Sequence, residues 1–243
     1  IHEIVAAVSP ERMEADVRTL VGFGTRHTLS DTLSATRGIG AARRWIHAEF
    51  ERISEACGGC LEVQYVSEVM PSGTGSRIPR EVQVVNVVAI RPGTSDPDRV
   101  VMLTGDIDSR VSDVNDAESD SPGANDNATG VAATLEAARV LSRYPSDASI
   151  VFAALSGEEQ GLYGGEILAR HARERQWRIE AVINNDMIGN VSGITGVIEN
   201  TTARVFAPGL HPSSSESELR RILSTGGELD TPARQLARYI ARV

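Results

Sequence analysis

Between Val100 and Glu136 the chain runs from an apolar stretch, through a loop crowded with acids, into an amphipathic stretch. This order limits what the chain can fold into. Val100 to Leu103 reads as a buried strand that ends in Gly105-Asp106-Ile107-Asp108. Pro122 to Asn127 then leads into a helix with Val131, Leu135, Ala138 and Leu141 on one stripe. Ligands of open α/β sheets bind at the carboxyl ends of strands, so Asp106, Asp108 and Asp126 are candidate site residues. Taken alone, these acids are as well explained as solvated turn residues and a helix cap.

The rest of the chain repeats the alternation. Strands are expected at Leu61 to Val66, Val82 to Ile90, Ser149 to Leu155 and Ala181 to Asn185, with a short one at Val205-Phe206. Ser9-Pro10-Glu11 starts a helix that stops at Gly22 and Gly24. A second runs from about Ile39 to Ala56, a third from about Gly161 to Arg173, and Thr231-Pro232 opens a last one. Strand and helix in turn predict an α/β fold, a three-layer α/β/α sandwich with a mixed, mostly parallel central sheet. Aromatic residues make up only 4% of the chain, so the core is built from Ala, Val, Ile and Leu, as suits such a sheet. With neither a repeat nor a linker, residues 1–243 are expected to form one domain. The chain stops on a helix with no strand after it, so a C-terminal part of the natural protein is expected to be missing.

A formal charge of −9 argues against nucleic acid and anionic membranes as partners. No apolar run reaches the roughly 20 residues of a membrane span. The chain begins at Ile1 without Met, which suggests a removed leader and a periplasmic or extracellular location, with the cytoplasm left open. Cys57 and Cys60 admit three readings: a local disulfide, half of a metal site, or two ordinary thiols. The absence of a second Cys pair lowers the zinc reading, and the disulfide is favoured.

Three strands finish in acids: Asp106 and Asp108, then Glu158 and Glu159, then Asp186. If the strands are neighbours, these carboxylates converge with Asp126 on one patch and repel strongly unless cations neutralise them. Bound divalent metal is the economical explanation. Adjacent acids such as Glu158 and Glu159 can divide the work, one holding metal and the other moving protons. In isolation, that pair reads equally as a solvated helix start.

The stretches TGDIDS, PGANDNATGVAATLEAARVL, ALSGEEQGLYGG and NNDMIG, in this order and spacing, resemble the zinc-dependent exopeptidases typified by secreted bacterial aminopeptidases, with glutamate carboxypeptidase-like and glutaminyl cyclase-like relatives. The resemblance runs from about Leu20 to Asp186. It implies a peptide substrate and two zinc ions roughly 3.5–4 Å apart, bridged by Asp126, with Glu159 and Asp186 each on one ion. It makes Glu158 the general base and Asp108 the acid that orients a His ligand. It also implies a cis peptide bond between Asp126 and Asn127.

Two departures stand out. Where the family has His-x-Asp, this chain has Asp106-Ile107-Asp108. An all-oxygen set shifts preference toward Mn, Mg or Ca, and Asp108 is left without an imidazole to orient. The family's last His ligand, from a C-terminal loop, has no match: His2, His27, His47 and His171 lie in the wrong segments, and His211 sits in an unrelated context. Three functions follow: a metal-dependent exopeptidase, foremost an aminopeptidase; a glutaminyl-cyclase-like acyl transferase; and a catalytically silent member that binds. The departures leave open whether the 243-residue chain alone is active.

Overall fold

Five strands form in the computed structural model, which describes residues 1–210 and 213–242. They are β1 (Glu62–Met70), β2 (Val82–Arg91), β3 (Asp96–Asp106), β4 (Ala148–Leu155) and β5 (Arg178–Asn185). Their order in the one sheet is β1-β2-β4-β3-β5. β3 runs parallel to both β4 and β5, whereas β2 is antiparallel to β4 and to β1. The sheet is therefore mixed, with a parallel core of three strands whose carboxyl ends share one edge.

Alternation along the strands sends side chains to both faces. Val87, Ala89, Phe152 and Ala154 pack under α2 (Pro10–Gly22), α3 (Gly38–Ala56) and α4 (Thr129–Leu141), through Leu20, Ile39, Ile46, Phe50, Val131 and Leu135. Val84, Val88, Met102, Val151 and Ala153 pack on the other face under α5 (Tyr163–Glu174), through Ile167, Leu168 and Ala172. With both faces covered, the expected α/β/α layering is present. A short helix, α1 (His2–Ala6), precedes these.

Local signals account for the helix ends. The Ser9 hydroxyl accepts a hydrogen bond from the Arg12 N–H at 3.2 Å, and Pro10 occupies the first helical position, where its missing N–H costs nothing. Cys57 and Cys60 form a disulfide just past α3, the favoured reading of that pair. Where α4 crosses β3, glycines face each other. A Cβ on Gly105 would lie 2.4 Å from the Gly130 carbonyl carbon, and one on Gly130 would lie 2.1 Å from the Asn185 oxygen. The start of α4 therefore lies directly on the ends of β3 and β5.

One acid in this layer is poorly placed. Asp16 on α2 is pushed up to about 6, first by burial, against the pull of Arg12 and with a further push from Glu136. Its folded pKa exceeds its unfolded one, so the folded state binds the extra proton, and stability falls as pH rises from about 4 through 6. Asp16→Asn is expected to raise the melting temperature at pH 7 and to leave it unchanged near pH 3.5, where both forms are neutral. Thermal unfolding at the two pH values checks this.

Contacts divide the chain into two compact units, Ile1–Asn190 and Val191–Val243. The second holds α6 (Glu216–Thr225) and α7 (Pro232–Ile240). Thr231 caps α7 through the Arg234 N–H, as its Thr-Pro signal predicts. The start of α6 is a capping box of Ser215 and Glu218. No strand forms at Val205-Phe206, because two apolar residues are too few to hold a ladder. No helix among the described residues is long and apolar enough to cross a membrane.

Candidate metal centre

The parallel register brings the acidic strand ends together. Asp106 pairs with Leu155 across β3–β4, and Gly105 pairs with Asn185 across β3–β5. The Glu158-Glu159 loop and Asp186 therefore flank Asp106. Asp126 enters from the turn before α4.

Electrostatic coupling shows how closely these groups are grouped. Asp106, nearly buried, is pushed up to about 7 by burial first, then by Asp108 and Asp186, against hydrogen bonds from Asn184 and Asn127. Glu158 is also pushed up to about 7, by burial first and then by Asp108, Glu159, Asp106 and Asp186. Burial followed by Glu159 raises Asp126, offset by Arg110 and Arg26. Burial followed by Asp126 raises Asp186. The candidates thus share one patch in which several negative charges are disfavoured. Among the described residues, no three His, Cys, Asp or Glu are already gathered as a metal requires. The patch is brought together by the fold without being a closed cage.

Asp108 has a definite task. Its carboxylate is fully buried and accepts from the Thr28 hydroxyl at 3.1 Å, the Glu158 N–H at 3.2 Å and the Glu159 N–H at 3.0 Å. It anchors the loop that carries the Glu-Glu pair. The resemblance implied an acid that orients a His ligand; here the Asp108 oxygens meet a hydroxyl and two backbone amides, and no imidazole.

Four further residues surround the patch, and of these the sequence named only Asn127, for its peptide bond to Asp126. Asn127 joins three elements: its Nδ2 donates to Asp106 at 3.1 Å and to the Asn185 carbonyl at 2.9 Å, and its Oδ1 accepts from the Gly130 N–H at 3.0 Å. The Asp126-Asn127 peptide bond is cis, as the resemblance implied. Arg26, at 1% exposure, donates to the carbonyls of Ile107, Leu20, Pro122 and Gly123, and so fastens the end of β3 to the turn carrying Asp126. Arg110 forms an ion pair with Glu159 and is also drawn by Asp126 and Glu158. Arg43, on α3, reaches the Ser156 hydroxyl. A helix-start Asn and an Arg beside acids are faint local signals. The partners of Asn127, Arg26 and Arg43 are fixed mostly by tertiary structure.

The histidines take other roles. His27 is buried. Its Nδ1 accepts from the Leu29 N–H at 3.1 Å, so Nε2 carries the proton and donates to the Val114 carbonyl at 3.0 Å. His47 pairs with Glu51 and stacks on Tyr65. His171 meets the edge of Trp177. His211, the weak candidate for the last ligand, lies outside the described residues.

Residues 86–220 match peptidase family M28. A probable zinc metalloprotease of Pyricularia oryzae is 47% identical over all of this chain, which covers 48% of that protein. One from Pyrenophora tritici-repentis is 44% identical, with 50% of it covered. The chain thus spans about half the length of these curated relatives, which are fungal, whereas the sequence resemblance pointed to bacterial enzymes. Among solved structures, LapB from Legionella pneumophila has a TM-score of 0.61 at 20% identity, over 79% of this chain and 47% of that one. A leucine aminopeptidase precursor from Bacteroides thetaiotaomicron has 0.59 at 19%, over 76% and 65%. Porphyromonas gingivalis glutaminyl cyclase has 0.58 at 20%, over 75% and 62%. These likenesses concern the fold. Together with four motifs converging on one acidic patch, the match over more than half its length places the chain in peptidase family M28.

Proposed function

We propose that this protein is a metal-dependent exopeptidase, an aminopeptidase, with Glu158 as its general base. The observation that carries this reading is Glu158 itself. It is half-buried among acids, raised to about 7, and its loop is held by Asp108. A carboxylate on an anchored loop, next in sequence to a proposed metal ligand, is placed to take a proton and return it. Asp126, Glu159, Asp186 and Asp106 would hold the metal. Their fit is supported by an oxygen donor set, by crowded charge, and by the Arg110 guanidinium already standing against Glu159 as a cation. Bound divalent ions would polarise the scissile carbonyl and lower the pKa of the attacking water. Glu158 takes the proton from that water and delivers it to the leaving amine.

The named relatives are probable zinc metalloproteases, so zinc is the first ion to test. Asp106 in place of a His turns the set toward oxygen, which favours manganese or magnesium more than an N/O site would. The disulfide supports an oxidising location outside the cytoplasm. The glutaminyl cyclase of similar fold keeps acyl transfer as a second reading.

Metal-free protein titrated with zinc and with manganese, then assayed on Leu-anilide and on a peptide with N-terminal Gln, tests the proposal. Metal-restored release of the anilide, with zinc weaker than nanomolar, is expected. Cyclisation of the Gln peptide without anilide hydrolysis would favour the second reading, and nanomolar zinc at two sites would refute the effect assigned to Asp106. In the same titration, Arg110→Gln is expected to bind metal about tenfold more tightly, the scale of one partly screened competing charge. Weaker binding would show that Arg110 orients Glu159 for the metal.

A further inference from the structure

A cavity of about 980 Å³ opens between the Leu29–Leu33 loop, the start of α3 and the start of β2. Its volume lies at the upper end of the range for small-molecule sites, roughly 300–1,000 Å³. Arg43, Arg44, Arg80 and Gln83 are among its lining residues.

Arg43 sets this cavity apart from an ordinary surface cleft. At 5% exposure it is more than nine-tenths buried. Its Nε donates to Ser156 Oγ at 3.3 Å, but its Nη2, also buried, makes no hydrogen bond. The other arginines there are engaged: Arg37 pairs with Asp120 and donates to the Glu118 carbonyl, Arg44 donates to the carbonyls of Thr32 and Ser34, and Arg80 to that of Leu29. Asp108 attracts Arg43 from a distance, but its oxygens already accept from Thr28 and the two loop amides. Leaving a buried charged donor unsatisfied is costly. Arg43 lines the cavity, and a guanidinium with an unsatisfied donor is a receptor for a planar anion. The acids on the lining, Asp31, Glu81 and Glu118, are exposed residues, and Asp31 already accepts from the amides of Leu33 and Ser34.

We propose that this cavity is a carboxylate-binding pocket, anchored by Arg43, that receives an acidic side chain or terminal carboxylate of a peptide substrate. Position supports the link to substrate. Arg43 is hydrogen-bonded to Ser156, two residues before Glu158, and the cavity borders the end of β2 that lies next to that loop. The proposal rests on the peptidase reading for its substrate, but binding can be measured without turnover.

The test is calorimetric titration of the metal-free 243-residue chain with N-acetylglutamate, N-acetylglutamine and inorganic phosphate. The acid is expected to bind at least tenfold more tightly than its amide and than phosphate. Arg43→Gln is expected to weaken it at least tenfold. Gln83→Glu, an isosteric change at an exposed lining position, adds a repelling charge and is expected to weaken it at least threefold, and it decides the matter if Arg43→Gln does not fold. Equal binding of acid and amide, or unchanged binding in folded Arg43→Gln or in Gln83→Glu, overturns the pocket. Phosphate binding as tightly as the acid overturns its assignment to carboxylates. Loss of peptidase activity with acid binding intact would count against the enzyme reading alone.

Discussion

Glu158→Gln is expected to lower turnover by roughly 10²–10⁴-fold, the usual contribution of a general base, while the metal-loaded protein still binds substrate. The exchange is isosteric. Asp108 holds this loop through the main-chain N–H groups of residues 158 and 159, so the substitution leaves the anchoring untouched. Only the ability to accept a proton is lost. A second consequence has the opposite sign. Burial and four neighbouring acids disfavour the ionised Glu158 carboxylate, so a neutral amide relieves that repulsion, and the metal-free variant is expected to melt at a higher temperature. Lower kcat together with higher thermal stability is the signature of a residue kept for chemistry at the expense of stability. Turnover within threefold of wild type would remove Glu158 from the mechanism, and with it the present enzymatic reading. A variant that keeps its ligand in a protein with no turnover to lose would identify a binding module.

Some of this site was legible in the sequence because its logic is local. Each of Asp106, Glu159 and Asp186 follows an apolar run, and a strand end is a position that periodicity locates to within a residue or two. Sheet order was not legible in the same way, yet the prediction required only that β3, β4 and β5 be neighbours, as they are. The arginines were not legible. Arg26, Arg43 and Arg110 lie 81, 113 and 49 positions from partners that define their roles, and no periodic pattern connects such distances. Ser215 and Glu218 are different. Their spacing is the capping box that opens α6, a helix the sequence reading did not name although its signal is local. Asp108 was named as a candidate from the sequence, but its partners are the Thr28 hydroxyl and two backbone amides, and backbone amides carry no sequence signature.

The residue on which the arrangement depends most is Arg26, and Arg26→Met is expected to destabilise the protein by about 3–5 kcal/mol, the range for removing one partner from a buried charged network. Methionine roughly fills the space but donates nothing. Four carbonyls, those of Leu20, Ile107, Pro122 and Gly123, would lose a donor in the interior, and each unsatisfied group costs about 1–3 kcal/mol before relaxation. The guanidinium also attracts Asp108 and Asp126, so its loss deepens the mutual repulsion of the patch. Lysine would keep the charge but not the planar fork that reaches several carbonyls at once, so Arg26→Lys is expected to recover less than half of the lost stability. Ile107 separates Asp106 from Asp108, and Gly123 precedes Asp126 by three residues, so the same change is expected to loosen the proposed metal ligands relative to one another. Urea unfolding of the metal-free protein reads the first effect, and zinc titration of the folded variant reads the second. A loss below about 1 kcal/mol, within the span of a single ordinary hydrogen bond, would mean that the turn before α4 holds its shape without Arg26.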